Sequence, residues 1–243
     1  MPKTIDYYDY WNKQRKQSRL AQREKISLKL ISNIVNKDNI FLDAGCGHGG
    51  FLLVLKKLFP DLILKGLEFS RQETNQAKSN KLDVKQADLN KPIKLKKASI
   101  DIVYAGEVLE HLYDPDLFLS ECNRILKQNG YLIITTPNLC AWYNRIFMVL
   151  GIQPLFLEPS TKSKLVGAGI LKKFKKESQP VGHIRIFTYP ALKDLLKMNG
   201  FEIIKTQSAI FDEGLPKILL PLDKIFTFYP RLGSHLVILA KKI

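Results

Sequence analysis

Cysteine is scarce in this chain. There are three in 243 residues, Cys46, Cys122 and Cys140, odd in number, widely spaced and without a C-x-x-C pair. That pattern argues against a disulfide framework or a cysteine-built zinc site and makes a reducing cytoplasm the expected compartment. Long apolar runs are also missing: no stretch approaches the roughly 20 residues of a membrane span. The opening MPKTIDYYDYWNKQRKQ lacks the apolar core of a secretory signal. There is no internal repeat and no low-complexity linker. Acidic residues are in deficit, with 23 Asp plus Glu against 38 Lys plus Arg, a formal net charge of +15. Such an excess suits anionic partners such as nucleic acid, phosphorylated substrates or acidic lipid surfaces. It equally suits a solvated lysine-rich surface, because the lysines are spread along the chain rather than blocked. What is present, 45% hydrophobic and 25% charged residues, is ordinary for a globule, and the length suits one α/β domain with a modest insertion.

Apolar periodicity predicts an amphipathic helix over 18–35 and then a short buried strand ending in NIFLDAG. A helix over 49–58 stops at Pro60. A strand over 62–69, a helix over 71–79, strands over 83–87 and 99–105, a helix over 116–127 started by Asp114-Pro115, and a strand over 131–136 follow. Strands that read as apolar runs and alternate with helices indicate a parallel sheet covered on both faces. Residues 139–182 read as a long irregular insertion. Thr188 then caps a helix ending before Gly200. Finally 201–209 and 234–241 read as strands with no helical crossover between them, hence antiparallel. The expected architecture is a Rossmann-like, seven-stranded, mostly parallel sheet with a terminal antiparallel strand. It forms one domain over 1–243, with 1–37 as an N-terminal helical cap and 139–182 as a substrate lid.

The strand FLDAG runs into Gly45-Cys46-Gly47-His48-Gly49-Gly50 and then a helix. Glycines let a backbone turn sharply and approach a ligand, and the helix start offers unpaired N–H groups. Gly45, Gly47 and Gly50 satisfy G-x-G-x-x-G, which alone is weak evidence for a dinucleotide. Asp43 shifts the balance, because a carboxylate just before the glycines repels a pyrophosphate but suits the cationic end of a zwitterionic amino acid. S-adenosylmethionine carries such an ammonium and a sulfonium. Glu68 ends the second strand, where a carboxylate accepts from ribose hydroxyls, and Asp88 ends the third, where it accepts from an adenine amino group.

The segments FLDAGCGHGG, GLEFS, QADLN, DIVYAGEVLEHLYDP and LIITTPN resemble the successive motifs of class I methyltransferases. They are most similar to the broad group containing the ubiquinone-biosynthesis O-methyltransferases. The resemblance covers roughly 38–138, with an echo in HIRIFTYPALKDLLKMNGF. It implies Asp43, Ala44, Gly45 and Gly47 around the methionine part, Glu68 with Phe69 at the ribose, Asp88 with Leu89 at the adenine, and Ala105 to Glu107 flanking the methionine end.

Glu107, Glu110 and His111 sit at i, i+3 and i+4, which in a helical turn places all three on one face. Two carboxylates and an imidazole can hold a divalent ion. The E-x-x-E-H pattern is similar to the metal-binding stretch of small-RNA 2′-O-methyltransferases and some quinone O-methyltransferases. By that resemblance His183 would complete the set, and a metal would lower the pKa of a substrate hydroxyl. Relatives without a metal share the same short sequence, which leaves His111 as a lone base or a packing residue. His111, Glu107 and His183 are thus the catalytic candidates. His48, inside the glycine loop, is weaker, and His235 reads as structural.

The insertion mixes Trp142, Tyr143, Phe147, Met148, Phe156 and Phe174 with Lys162, Lys164, Lys172, Lys173, Lys175 and Lys176. Its apolar half suits a hydrophobic or amphiphilic acceptor and its basic half an anionic one; a packed subdomain with a solvated lysine tail fits as well. Tyr7-Tyr8-Asp9-Tyr10-Trp11 resembles the aromatic opening helix that closes over the cofactor in relatives. The stretch 215–229 could touch a membrane surface, cover the sheet edge or form a dimer contact. The expected activity is methyl transfer to an oxygen of a small or lipid-like molecule. Methylation of RNA or another anionic polymer is the alternative the charge prompts, although no RNA-binding module and no N/D-P-P-Y/F signature occur. A non-catalytic cofactor-binding regulator is a third, against which Asp43, Glu68 and Asp88 argue.

Overall fold

The computed structural model describes residues 20–174, 178–212 and 214–243. The aromatic opening stretch Tyr7–Trp11 and the start of the expected first helix lie outside the described residues. Seven strands form one sheet: β1 (Ile40–Ala44), β2 (Ile63–Glu68), β3 (Asp83–Gln86), β4 (Ile100–Gly106), β5 (Leu126–Pro137), β6 (Phe201–Ala209) and β7 (His235–Lys242). Their order is β3-β2-β1-β4-β5-β7-β6. β7 lies antiparallel to both β5 and β6, and every other pairing is parallel. The helices are α1 (Gln22–Ser32), α2 (Gly50–Leu58), α3 (Arg71–Ser79), α4 (Pro115–Ile125), α5 (Trp142–Val149), α6 (Tyr189–Met198) and α7 (Leu220–Phe226). The mostly parallel sheet expected from the sequence is the one that forms. Its last strand in the chain is not at the edge but slots between β5 and β6.

The central strands β1, β4 and β7 are mostly apolar because both faces are covered. Phe41, Ile102, Ile133 and Val237 pack with α1 and α2 residues such as Ile31 and Leu52. Their sequence neighbours Leu42, Val103, Leu132 and Ile238 pack on the other face with Phe118 of α4 and Leu192 of α6. Local chemistry sets the helix starts. Ser70 Oγ accepts from Glu73 N at 3.3 Å, Asp114 Oδ1 from Leu117 N at 2.9 Å beside Pro115, and Thr188 Oγ1 from Ala191 N at 3.3 Å.

Two stretches differ from the sequence reading. The insertion is not irregular throughout, since it contains α5 and a short 3-10 turn at Gly169–Phe174. α5 forms because it has an apolar partner far away in sequence: Trp142 stacks on Phe226 of α7 with ring centroids 5.3 Å apart. Between β6 and β7 lies α7, seven residues long, too short to carry a crossover, which agrees with the antiparallel pairing. Among the described residues no helix is long and apolar enough to cross a membrane.

Candidate active site

The strand order reverses between β1 and β4, and ligands in open α/β sheets bind in the crevice beyond the strand ends at such a point. The chain leaves β1 through Asp43 and Ala44, both buried, into a left-handed turn. Gly45 has φ +84°, and a Cβ on it would lie 2.5 Å from Val108 Cγ2, so only glycine fits. The Gly45 and Cys46 amides both donate to the Leu67 carbonyl, at 2.8 and 3.0 Å, and lash the turn to β2. One residue on, Glu68 accepts from Gly47 N at 2.8 Å through one oxygen and from Ser70 N at 2.7 Å through the other. The structure thus brings Asp43, the glycine turn and Glu68 together. Burial pushes the Asp43 carboxyl well above the ordinary range, and the neighbouring charges of Glu68 and Glu24 push it further. Glu68 is also raised by burial, against the lowering pull of its amide donors. Phe69 follows Glu68, and its carbonyl accepts from Gln86 Nε2. Asp88 accepts from Asn90 N at 3.0 Å and stays partly exposed just past β3, with Leu89 buried beside it.

Beyond β4, Ala105 is buried and Glu107 takes a left-handed conformation, φ +57°. The expectation that Glu107, Glu110 and His111 share one helical face needs correction. Only Leu109–His111 form a turn, of 3-10 type, and Glu107 precedes it with its own backbone geometry. Its carboxylate accepts from Thr135 Oγ1 at 2.8 Å and lies 3.6 Å from Arg23 Nε and 3.4 Å from His235 Nε2. Burial alone would raise this carboxyl, but Arg23, His235 and the Thr135 hydrogen bond outweigh it and hold the group below the ordinary carboxylate range.

Glu110, His111 and His183 do come together: each offers a ligand atom, and these atoms lie within 4.8 Å of one another. Glu110 is fully buried, accepts from Thr136 Oγ1 at 3.1 Å through one oxygen and has no partner on the other among the described residues. Burial, and then the charge of Glu107, push its carboxyl well above the ordinary range. His111 Nδ1 meets the Gly182 carbonyl at 3.1 Å, and His183 Nδ1 meets the Phe156 carbonyl at 3.0 Å. A carbonyl only accepts, so each Nδ1 carries the hydrogen and Nε2 keeps the ring's lone pair. Burial lowers both imidazoles to about 4, so both are neutral near pH 7. The segment carrying His183 is pinned twice. The Glu110 carbonyl accepts from Ile184 N and Arg185 N, and the Glu158 carboxylate accepts from the successive amides of Val181, Gly182 and His183. His48 instead lies 3.3 Å from Glu73.

This geometry has relatives. A methyltransferase-domain family model matches residues 42–134. A probable S-adenosylmethionine-dependent methyltransferase of Mycobacterium tuberculosis is 32% identical over 216 residues, covering 87% of this chain and 71% of that protein. The chain belongs to the S-adenosylmethionine-dependent methyltransferases. A ubiquinone biosynthesis O-methyltransferase of Pelagibacter ubique is 25% identical, covering 84% of this chain and 83% of that protein. Among solved structures, a methyltransferase of Methanosarcina mazei superposes with TM-score 0.62 at 18% identity, over 88% of this chain and 97% of that one; at that identity it speaks for the fold alone.

Three residues that the sequence reading did not select stand against this candidate site. Arg23 is a buried cation on α1, in register with the buried Ser27, Leu30 and Ile31; a charge inside an apolar stripe was the available signal. His235, read as structural, stands against Glu107. Glu158 had no signal in the sequence, because the amides it holds lie more than twenty residues downstream.

Proposed function

We propose that this methyltransferase transfers the methyl group of S-adenosylmethionine to a hydroxyl oxygen of a small, lipid-like acceptor. The observation that carries the reading is the pair His111 and His183, each locked through Nδ1 onto a backbone carbonyl, with Nε2 as the basic atom. An imidazole fixed in that tautomer and neutral is ready to take a proton from an acceptor hydroxyl. When bound, the cofactor supplies an electrophilic methyl group on a cationic sulfur. Asp43 balances the ammonium and sulfonium charge. Glu68 would accept from the ribose hydroxyls with the lone pairs its two amide donors leave over, Asp88 and Leu89 would stand at the adenine, and Ala105 and Glu107 would flank the methionine end. An imidazole Nε2 would take the hydroxyl proton as the acceptor oxygen accepts the methyl group, and the sulfur of the bound cofactor would keep the electron pair of the S–C bond. Alignment and exclusion of water carry most of the rate. The choice of oxygen also draws on relatives: one is named as a ubiquinone biosynthesis O-methyltransferase, another as a malonyl-[acyl-carrier protein] O-methyltransferase.

The test is mass spectrometry of lipid and small-molecule extracts incubated with the enzyme and a deuterated methyl donor. The expected product carries the label on oxygen, and His111→Ala abolishes it while adenosylhomocysteine binding stays within about twofold. A label on nitrogen or carbon, or full turnover by His111→Ala, refutes the reading.

A second reading has its own observation. Glu110, His111 and His183 fit a divalent ion, because the buried carboxylate, one of its oxygens without a partner among the described residues, offers a ligand atom within 4.8 Å of one on each imidazole. An ion held there would polarise the acceptor hydroxyl. Activity lost in chelator and restored by a divalent metal supports it; full activity in chelator, with Glu110→Gln equally active, removes it.

A further inference from the structure

We propose that α5, α7 and the turns on either side of α7 form a docking face for an anionic lipid bilayer. The two helices are built as one unit. Trp142 stacks on Phe226, and Trp142 Nε1 donates to Asp223 Oδ1 at 2.8 Å. What that unit leaves outside is unusually apolar. Val149 is 87% exposed, Ile218 85% and Phe228 78%, with Ile146, Leu150 and Ile225 also exposed. Large aliphatic and aromatic side chains held in water on these helices and the turns beside them mark a surface that meets an apolar phase. The charges decide which one. Residues 139–157 contain no acid at all, and Asp223, the one acid among the described residues 214–233, is fully buried and consumed by Trp142, Phe211 N and Ser234 Oγ. The exposed charged residues next to the apolar ones along the chain are cations: Arg145 beside Ile146, Lys217 beside Ile218 and Lys224 beside Ile225. Apolar residues interleaved with cations fit acidic headgroups over acyl chains, and the net charge of +15 draws the chain to such a surface from a distance. A second copy of this chain would instead set these cations against one another.

The face also has an address. α5 leads into the loop whose Phe156 carbonyl holds His183, which joins the face to the site along the chain. Docking does not depend on the acceptor being a lipid, and the two readings fail separately.

The experiment is cosedimentation of the full chain with vesicles of phosphatidylcholine containing phosphatidylglycerol, against phosphatidylcholine alone. Binding is expected only to the anionic vesicles, falling steeply as salt is raised. Ile218→Ala and Phe228→Ala should each weaken it by about tenfold, and Lys217→Gln and Lys224→Gln by about fivefold each, with the thermal shift by adenosylhomocysteine unchanged. No binding to anionic vesicles by protein that still shows that shift overturns the proposal. Equal binding by the doubly substituted Ile218→Asp, Phe228→Asp chain overturns it too, as does a stable dimer that the same pair of substitutions dissociates.

Discussion

Replacing Asp43 by asparagine removes one charge and almost no volume from the end of β1, so it isolates the electrostatic part of cofactor binding. Asp43 is 2% exposed, and burial, then Glu68 and Glu24, raise its carboxyl well above the ordinary range. Its contribution to folding is therefore complete below its unfolded-state pKa, about 3.9, and is lost as pH rises through the folded value. Without ligand, the carboxyl keeps a proton over part of the range where a free aspartate would not. A cationic cofactor reverses this, because an ammonium or sulfonium nearby favours the carboxylate and expels the proton. Binding should release a fraction of a proton, and affinity should rise with pH until the ligand-free carboxyl has ionised. Calorimetry in two buffers of different ionisation enthalpy measures that proton directly. A charge-assisted hydrogen bond contributes about 1.5–3 kcal/mol, so Asp43→Asn should weaken adenosylmethionine binding by about 10- to 150-fold. The same substitution should abolish the buffer dependence. An Asp43→Asn variant with unchanged affinity, or wild-type binding enthalpies that agree in both buffers, refutes the electrostatic argument.

Gly45→Ala should lower stability by about 1–3 kcal/mol, the cost of a non-glycine residue in the left-handed region, because its Cβ would also meet Val108 Cγ2 at 2.5 Å; an unchanged melting temperature contradicts the assigned turn. Glu158→Ala frees the amides of Val181, Gly182 and His183, and with them the Gly182 carbonyl that orients His111. It should cut kcat at least about tenfold while leaving cofactor KM in place and mixing the imidazole tautomers in nitrogen NMR, with Glu158→Gln intermediate. Unaltered tautomers and kcat would make Glu158 a purely local brace. Asp223→Ala leaves Trp142 Nε1, Phe211 N and Ser234 Oγ without their acceptor and should cost about 2–4 kcal/mol, read as a lower denaturation midpoint; a change within experimental error would mean these donors are satisfied elsewhere.

The contrast between Glu68 and Glu107 explains which parts of this site the sequence disclosed. Both are acids at or next to the end of a parallel strand. Glu68 lies in regular strand geometry, and its partners, Gly47 N and Ser70 N, come from the adjacent β1 loop and its own turn. Strand periodicity and a glycine run are enough to place it. Glu107 leaves the strand through a left-handed residue, and spacing rules that assume a helix then send its side chain the wrong way. Its real partners come from α1 and from β7, residues 23 and 235, at opposite ends of the chain. No local pattern encodes such a meeting; it follows from β7 inserting between β5 and β6, which delivers His235 opposite Pro137 at the mouth of the crevice. α5 was hidden for the same reason, since its aromatic face acquires a partner only when α7, more than seventy residues on, folds back to stack against it. The glycine turn and Glu68 are thus built from segments close along the chain, whereas the contacts of Glu107 and His111 exist only once distant segments have come together.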